Sequence, residues 1–113
     1  MTVEGTLPTT TTQKPVAGNA AAGKSVFVSS GCGGCHTFKA AGTSATIGPD
    51  LAQVTASAKA AGQPVATFTQ NSIVNPNAVI AKGFQPNVMP QTFAQTLSAT
   101  QLADLVAFID QNQ

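Results

Sequence analysis

The feature that most constrains this chain of 113 residues is a short cluster of reactive side chains, Cys32-Gly33-Gly34-Cys35-His36. The cluster contains both cysteines and the single histidine of the sequence. The remaining composition is chemically sparse, because the chain has no Trp and no Tyr and only 8% of its residues are charged. Most of the chemistry available to this protein must therefore be built on residues 32–36.

The spacing of these residues is C-x-x-C-H, which is the pattern of covalent c-type haem attachment. Two thiols about one turn apart can each add to a vinyl group of the porphyrin, and the residue that follows places an imidazole beneath the iron. Gly33 and Gly34 keep the backbone between the thiols compact. The motif therefore predicts haem c as the cofactor, with Cys32 and Cys35 as the attachment points and His36 as an iron ligand.

Four other interpretations of the cluster compete with haem attachment. A disulfide between cysteines three positions apart closes a very short loop and adds little stability. A thioredoxin-like redox pair requires a βαβ context that the sequence does not show. A zinc site requires about four ligands, and no further Cys or His exists outside the cluster. The fourth interpretation is that the cysteines are simply buried and inert.

A second axial ligand for the iron has one strong candidate. Bis-histidine ligation within the chain is excluded, because there is no second histidine. Met89 lies in a segment without helical periodicity, Asn87-Val88-Met89-Pro90. Its thioether is soft and neutral, so it favours ferrous iron and raises the reduction potential. The alternatives are that Met89 only fills core space, or that Lys82 or a water molecule is the ligand.

The periodicity of the chain predicts an all-α fold with large loops. Asn19 is a good N-cap for a first helix that continues to Val28, and Ser98 with Gln101 forms a capping box before the last helix. Two further helices are expected over residues 51–60 and 64–74, the second ending at Asn75-Pro76. Residues 77–96 are expected to form a long ordered loop, which in a compact domain is usually functional. No alternating β-branched run is long enough for a sheet.

The chain divides into two parts by composition. Residues 1–18 contain a run of four threonines between two prolines and few apolar side chains, which predicts a flexible Thr/Pro-rich tether without the pattern of a signal peptide. Residues 19–113 form the predicted domain. No apolar run approaches the roughly 20 residues of a transmembrane helix. The formal net charge of +1 argues against nucleic acid as a partner.

Taken in order along the chain, these residues resemble a class I cytochrome c, the small monohaem electron-carrier family. The resemblance covers about residues 19–111. Four features carry it: Gly23 and Phe27 before the motif, Cys32-Gly33-Gly34-Cys35-His36-Thr37 itself, Ile47-Gly48-Pro49-Asp50-Leu51, and Met89-Pro90 before the last helix. The segments around Asn75-Pro76 and Met89 also resemble, less specifically, cytochrome domains fused to subunit II of haem-copper oxidases, and with the tether they suggest a membrane-tethered parent.

The resemblance implies a small cytochrome c fold, with three to five helices and long loops around one covalently bound haem. It implies that Gly23 and Phe27 on the first helix pack against Leu105 and Phe108 on the last. It also implies that the carbonyl of Pro49 accepts a hydrogen bond from the His36 ring. The expected cofactor-binding residues are thus Cys32, Cys35, His36, Pro49 and Met89, with His36 and Met89 as the two iron ligands.

The expected function is one-electron transfer rather than enzymatic catalysis. The resemblance implies redox protein partners, such as a membrane oxidase or a quinol-oxidising complex, and an extracytoplasmic location, with the chain acting as a monomer. A five-coordinate haem sensor or peroxidase-like enzyme is the main alternative, and a thiol redox protein is the other.

The chain lacks the Trp or Tyr that often binds a haem propionate, so Gln53, Thr55, Asn71, Asn75 and Gln85 are the polar candidates. It also lacks a dense lysine rim, which favours docking through an uncharged patch. The apolar side chains expected around the macrocycle are Phe27, Phe68, Ile73, Phe84, Val88, Phe93, Leu102 and Leu105.

Overall fold

A computed structural model gives the fold for residues 18–78, 80, 83–85 and 88–113. This part of the chain is mostly helical, and the predicted all-α fold is confirmed. Its elements are α1 (Ala20–Ser29), β1 (Thr37–Phe38), β2 (Thr43–Ser44), α2 (Val54–Ala60), α3 (Val65–Val74), α4 (Phe93–Thr96) and α5 (Ala99–Gln111). Apart from Gly18, the predicted tether lies outside the described residues.

Both terminal helices begin at the caps that the sequence predicts. The side chain of Asn19 accepts a hydrogen bond from the backbone N–H of Ala22 at 2.9 Å, which satisfies a donor that the first turn of α1 would leave unpaired. At α5, Gln101 donates its N–H to the Ser98 hydroxyl, and the Gln101 side chain accepts from the Ser98 N–H. This reciprocal pair is the capping box inferred from the sequence.

The core forms where α1 crosses α5, and α1 makes its most extensive contacts with that helix. Gly23 lies against the backbone of α5 so closely that a Cβ atom there would overlap the carbonyl of Asp104. Beside this crossing the rings of Phe27 and Phe108 pack edge to face, with centroids 5.6 Å apart. The expected packing of Gly23 and Phe27 against α5 is therefore confirmed, and Leu105 lies in the same buried cluster.

Replacing Gly23 by Ala is expected to lower the free energy of unfolding by about 3 kcal/mol, since the overlap involves backbone atoms that cannot rotate away. Guanidinium denaturation of the haem-loaded protein measures this loss. Ser25→Ala, at an exposed position on the same helix, is the control and should change the stability by less than about 0.5 kcal/mol. Equal stability of Gly23→Ala and Ser25→Ala would show that the helices do not cross at Gly23.

The third helix is fixed to the last one by a polar contact. The Thr69 hydroxyl lies 2.6 Å from a carboxylate oxygen of Asp110 and 2.9 Å from the carbonyl of Val65. Burial raises the pKa of Asp110, and the hydrogen bond from Thr69 opposes that rise. As predicted, α3 ends where Asn75-Pro76 begins, because proline cannot continue the helical hydrogen bonds.

Two local predictions are corrected by the structure. The predicted loop 77–96 contains the short helix α4, whose four residues are too few to show a helical period. The segment after the cysteine motif forms a minimal antiparallel hairpin in which Thr37 pairs with Ser44 and Phe38 pairs with Thr43. Two residues per strand are likewise too few for an alternating pattern to appear in the sequence. None of the described helices combines the length and apolar character needed to cross a membrane.

Candidate functional site

A cavity of about 360 Å³ lies between the cysteine motif, helices α2 and α3, and the segment that carries Met89. This volume is within the usual range of about 300–1,000 Å³ for ligand and cofactor sites. Its walls include every residue that the sequence analysis assigned to the cofactor, namely Cys32, Cys35, His36, Pro49 and Met89. The fold therefore brings together side chains that are more than fifty positions apart in the sequence.

The cysteines are presented by a tight turn at the end of α1. Gly31 adopts a left-handed conformation with φ of 77°, which ends the helix as glycine commonly does. Residues Cys32–Gly34 then form a 3-10 turn, and the carbonyl of Cys32 accepts the N–H of His36 at 3.1 Å. The two thiols are not joined in a disulfide. The turn thus places two thiols and one imidazole on the wall of the same cavity.

The burial of Cys32 disfavours its action as the attacking thiol in thiol–disulfide exchange. Burial raises the pKa of the Cys32 thiol to about 11, with a smaller contribution from the neighbouring Cys35. A redox-active pair of this spacing needs a thiolate near neutral pH, and its attacking cysteine has a lowered pKa. Cys32 therefore lacks the property that defines the thiol redox alternative.

The His36 ring makes a hydrogen bond that helps to orient it. Its Nδ1 lies 2.8 Å from the carbonyl oxygen of Pro49. Because a carbonyl only accepts, Nδ1 carries the proton and donates it, which leaves Nε2 as the nitrogen that can bind a metal. A histidine that binds a metal through one nitrogen usually donates from the other in this way. The contact between His36 and Pro49 that the resemblance implies is present.

Gly48 provides the space in which the His36 ring lies. A Cβ atom at Gly48 would lie 2.7 Å from Cε1 and 2.9 Å from Nδ1 of that ring. The backbone N–H of Gly48 also donates to the carbonyl of Cys35 at 2.6 Å. A glycine is therefore required at position 48, because the imidazole of His36 approaches the backbone so closely. In this position the imidazole lines the cavity.

Replacing Gly48 by Ala is expected to displace the His36 ring and break its hydrogen bond to Pro49. The Nδ1 proton should then exchange with solvent about tenfold faster, the factor that corresponds to a loss of about 1.4 kcal/mol. Proton NMR of the reduced protein measures this exchange. Gly34→Ala, in the cysteine turn, is the control, because a Cβ there would meet no heavy atom within 4 Å beyond its chain neighbours. Unchanged exchange in Gly48→Ala would contradict this account of the glycine.

Met89 lines the same cavity although it is far from the cysteine motif in the sequence. It is half-buried, packs against the main hydrophobic cluster and lines the cavity that His36 also lines. The neighbouring Val88 lines the cavity as well but leaves 47% of its surface exposed. Lys82, the alternative ligand considered from the sequence, lies outside the described residues.

The apolar walls of the cavity match the sequence prediction in part. Four of the expected side chains line it: Phe68, Phe84, Val88 and Phe93. Phe27, Ile73, Leu102 and Leu105 lie instead in the hydrophobic core behind the wall, so their placement around the macrocycle is corrected. Side chains that the prediction missed include Val54, Pro76 and Ile80. Isolated apolar residues of this kind carry no periodic signal that points to a cavity.

The polar candidates for the haem propionates separate into three groups. Gln53 and Gln85 line the main cavity. Asn71 and Asn75 line a neighbouring cavity of about 30 Å³. Thr55 contacts the C-terminal residue, since its N–H and hydroxyl both lie near the side-chain oxygen of Gln113. Of the five, Gln53 and Gln85 therefore have direct access to the main cavity.

These features fit a covalently held haem. The cavity is mainly apolar, and it is lined by two thiols, an imidazole and a thioether. The space left by Gly48 is filled by the imidazole, which supports a ligand role for that ring. The donor set of one nitrogen and one thioether sulfur suits haem iron.

Comparison with known proteins gives one family. The family model described as Cytochrome c matches residues 20–113, which is most of the chain. A search of curated proteins gives no match. The chain therefore belongs to the cytochrome c family, whose members bind covalently attached haem c and transfer electrons.

Proposed function

We propose that the chain is a one-electron carrier whose haem iron is ligated by His36 and Met89 and whose porphyrin is bonded to Cys32 and Cys35. The observation that carries the proposal is that all four side chains line one apolar cavity, with the Nδ1 proton of His36 committed to the Pro49 carbonyl. When bound, the haem supplies the iron that cycles between the ferric and ferrous states.

Each residue of the site has a separate task. The Pro49 carbonyl holds the proton of His36 on Nδ1, which keeps Nε2 free for iron. Met89 supplies a neutral sulfur that favours the ferrous state. The aromatic wall formed by Phe68, Phe84 and Phe93 excludes water, which further disfavours the extra charge of ferric iron. With His36 and Met89 both holding the iron, oxygen and peroxide would find no open site.

Visible spectroscopy of the air-oxidised and reduced protein tests this ligation. We expect a low-spin spectrum, with a weak charge-transfer band at the red end that reports sulfur bound to ferric iron. High-spin features and ready binding of carbon monoxide would instead support a five-coordinate sensor or peroxidase-like protein. A preparation without haem absorbance would remove the proposal altogether.

We also propose that redox partners dock at a mainly apolar rim around the cavity. Ile47, Ile80 and Val88 line the cavity and are 58%, 37% and 47% exposed. Among the described residues with carboxylate or lysine side chains, only Asp50 lines it. Such a rim suits a partner with a complementary apolar, weakly charged surface, because apolar burial and not charge steering would drive association.

Replacing Ile47 by Lys is expected to slow electron self-exchange between two copies of the protein several-fold at low salt, because like charges would meet across the contact. Raising the ionic strength from about 0.01 to 0.15 M shortens the Debye length from about 30 to 8 Å and should recover most of the rate. NMR line broadening in mixtures of oxidised and reduced protein measures it. Val28→Lys is the control, since Val28 is 66% exposed but does not line the cavity. Equal slowing by both variants would contradict docking at this rim.

The proposed setting is extracytoplasmic, because the family's haem is attached outside the cytoplasmic membrane. Residues 1–18 are proposed as a tether and residues 19–113 as the redox domain, acting as a monomer. Electrons would pass between respiratory partners, such as a quinol-oxidising complex and a membrane oxidase. The apolar docking rim is compatible with either partner.

A further inference from the structure

The His36 backbone is anchored by a side chain that the sequence analysis did not single out. The Thr43 hydroxyl donates a hydrogen bond to the carbonyl of His36 at 2.8 Å and accepts one from the N–H of Phe38 at 3.0 Å. Both bonds lie within normal geometry for a hydroxyl. With one bond donated and one accepted, this hydroxyl ties β2 to the backbone of the histidine and of β1.

Thr43 also contacts the cysteine turn, through its methyl group. Its methyl group occupies the space beside Gly33, where an added Cβ atom would lie 2.5 Å from the Thr43 Cγ2. A single side chain therefore touches the residue between the two cysteines and holds the residue that follows them. Thr43 does not line the cavity, so any effect on the haem must pass through these two contacts.

His36 has three hydrogen bonds that fix its position. Its N–H donates to the carbonyl of Cys32, and its ring donates to the carbonyl of Pro49. The third joins its own carbonyl to Thr43. The first two acceptors are backbone groups that no substitution removes directly. The third donor is a side-chain hydroxyl, so sequence changes at position 43 can alter the orientation of the imidazole without altering the cavity wall.

We propose that Thr43 is a positioning residue, which fixes the orientation of the His36 imidazole by holding its backbone carbonyl. This inference rests on the proposed function, in which His36 is an axial ligand. Partners held in place around a metal-binding histidine affect metal affinity and tuning although they do not touch the metal. The hairpin 37–44 then acts as a support for the ligand, beyond its role as a connection between helices.

The test compares three variants of the haem-loaded protein by electron paramagnetic resonance of the ferric state, by reduction potential and by thermal stability. Thr43→Val keeps the shape but removes the hydroxyl, and should broaden or split the low-spin signal and shift the potential. Thr43→Ser restores the hydroxyl without the methyl and should give the wild-type signal. Thr37→Val is the matched control, because the Thr37 hydroxyl makes a bond of the same kind in the same hairpin, at 2.7 Å to the carbonyl of Ala45. It should lose thermal stability while keeping the wild-type signal.

The outcomes separate this inference from the proposed function. A wild-type signal in Thr43→Val, or the same change in Thr43→Val and Thr37→Val, would overturn the positioning role while leaving His36 as ligand. A wild-type protein without a histidine-ligated low-spin signal would overturn the proposed function itself. If Thr43→Val yields no haem-loaded protein, Thr43→Ser still decides, since a displaced signal in a variant that keeps the hydroxyl contradicts the inference.

Discussion

Replacing Met89 by Ala is expected to lower the reduction potential by roughly 0.2 V, a quarter of the approximately 0.8 V over which axial ligands set haem potentials. The thioether stabilises ferrous iron relative to ferric iron, and its removal lets water or an added ligand reach the sixth position. The covalent haem should remain, because neither cysteine is altered. Potentiometric titration monitored by visible absorbance measures the change.

Two variants make the Met89 experiment specific. Val88→Ala removes apolar volume from the same loop and the same cavity, but no ligating atom. Its potential should stay close to that of the wild type, and it should not bind carbon monoxide or cyanide more readily. Met89→His should keep a six-coordinate iron with a lowered potential. If Met89→Ala and Val88→Ala behave alike, Met89 fills space in the cavity wall and is not the ligand.

Replacing both Cys32 and Cys35 by Ala is expected to abolish covalent haem attachment completely. The haem should no longer migrate with the chain under denaturing conditions, because no thioether bond would remain. Each single substitution leaves one vinyl group unreacted, and the conjugation of that vinyl should move the visible bands of the reduced haem to longer wavelength. Haem staining of denaturing gels and absorbance of the pyridine adduct measure these two effects.

Ser44→Ala serves as the control for the cysteine variants, since Ser44 is exposed in the hairpin next to the motif and does not line the main cavity. It should retain full attachment. Haem that stayed bonded to the denatured double variant would show that other side chains hold it. Loss of the haem from Ser44→Ala as well would show instead that the experiment reports a general loss of folding.

The local chemistry of the site was predictable because it is short-range. Cys32, Cys35 and His36 are adjacent in sequence, so their spacing alone predicts the attachment geometry. The same is true of the terminal helices, where Asn19 and Ser98 cap from positions beside the helices that they start. The segment around Met89 could be recognised as irregular from its sequence, but no local pattern predicts that Met89 lines the same cavity as His36.

Features that depend on contacts between distant segments escaped prediction. The minimal hairpin is held in part by the hydrogen bonds of Thr43 to the backbone of His36 and Phe38. Neither strand has an alternating pattern of its own. The sequence also did not predict which large apolar residues line the cavity and which lie in the core. Phe68 and Ile73 lie on one predicted helix, yet the first lines the cavity and the second faces the core.

The sequence by itself determined the helical class, the helix caps and the cofactor chemistry, because each depends on residues within about one turn of one another. The tertiary structure decided which side chains line the cavity, how the His36 ring is oriented by Pro49 and Gly48, and which hydroxyl holds its backbone. These are matters of distance between segments that are remote along the chain. Such distances follow from the close packing of α1 against α5 and of the loops around the cavity, and no local pattern encodes them.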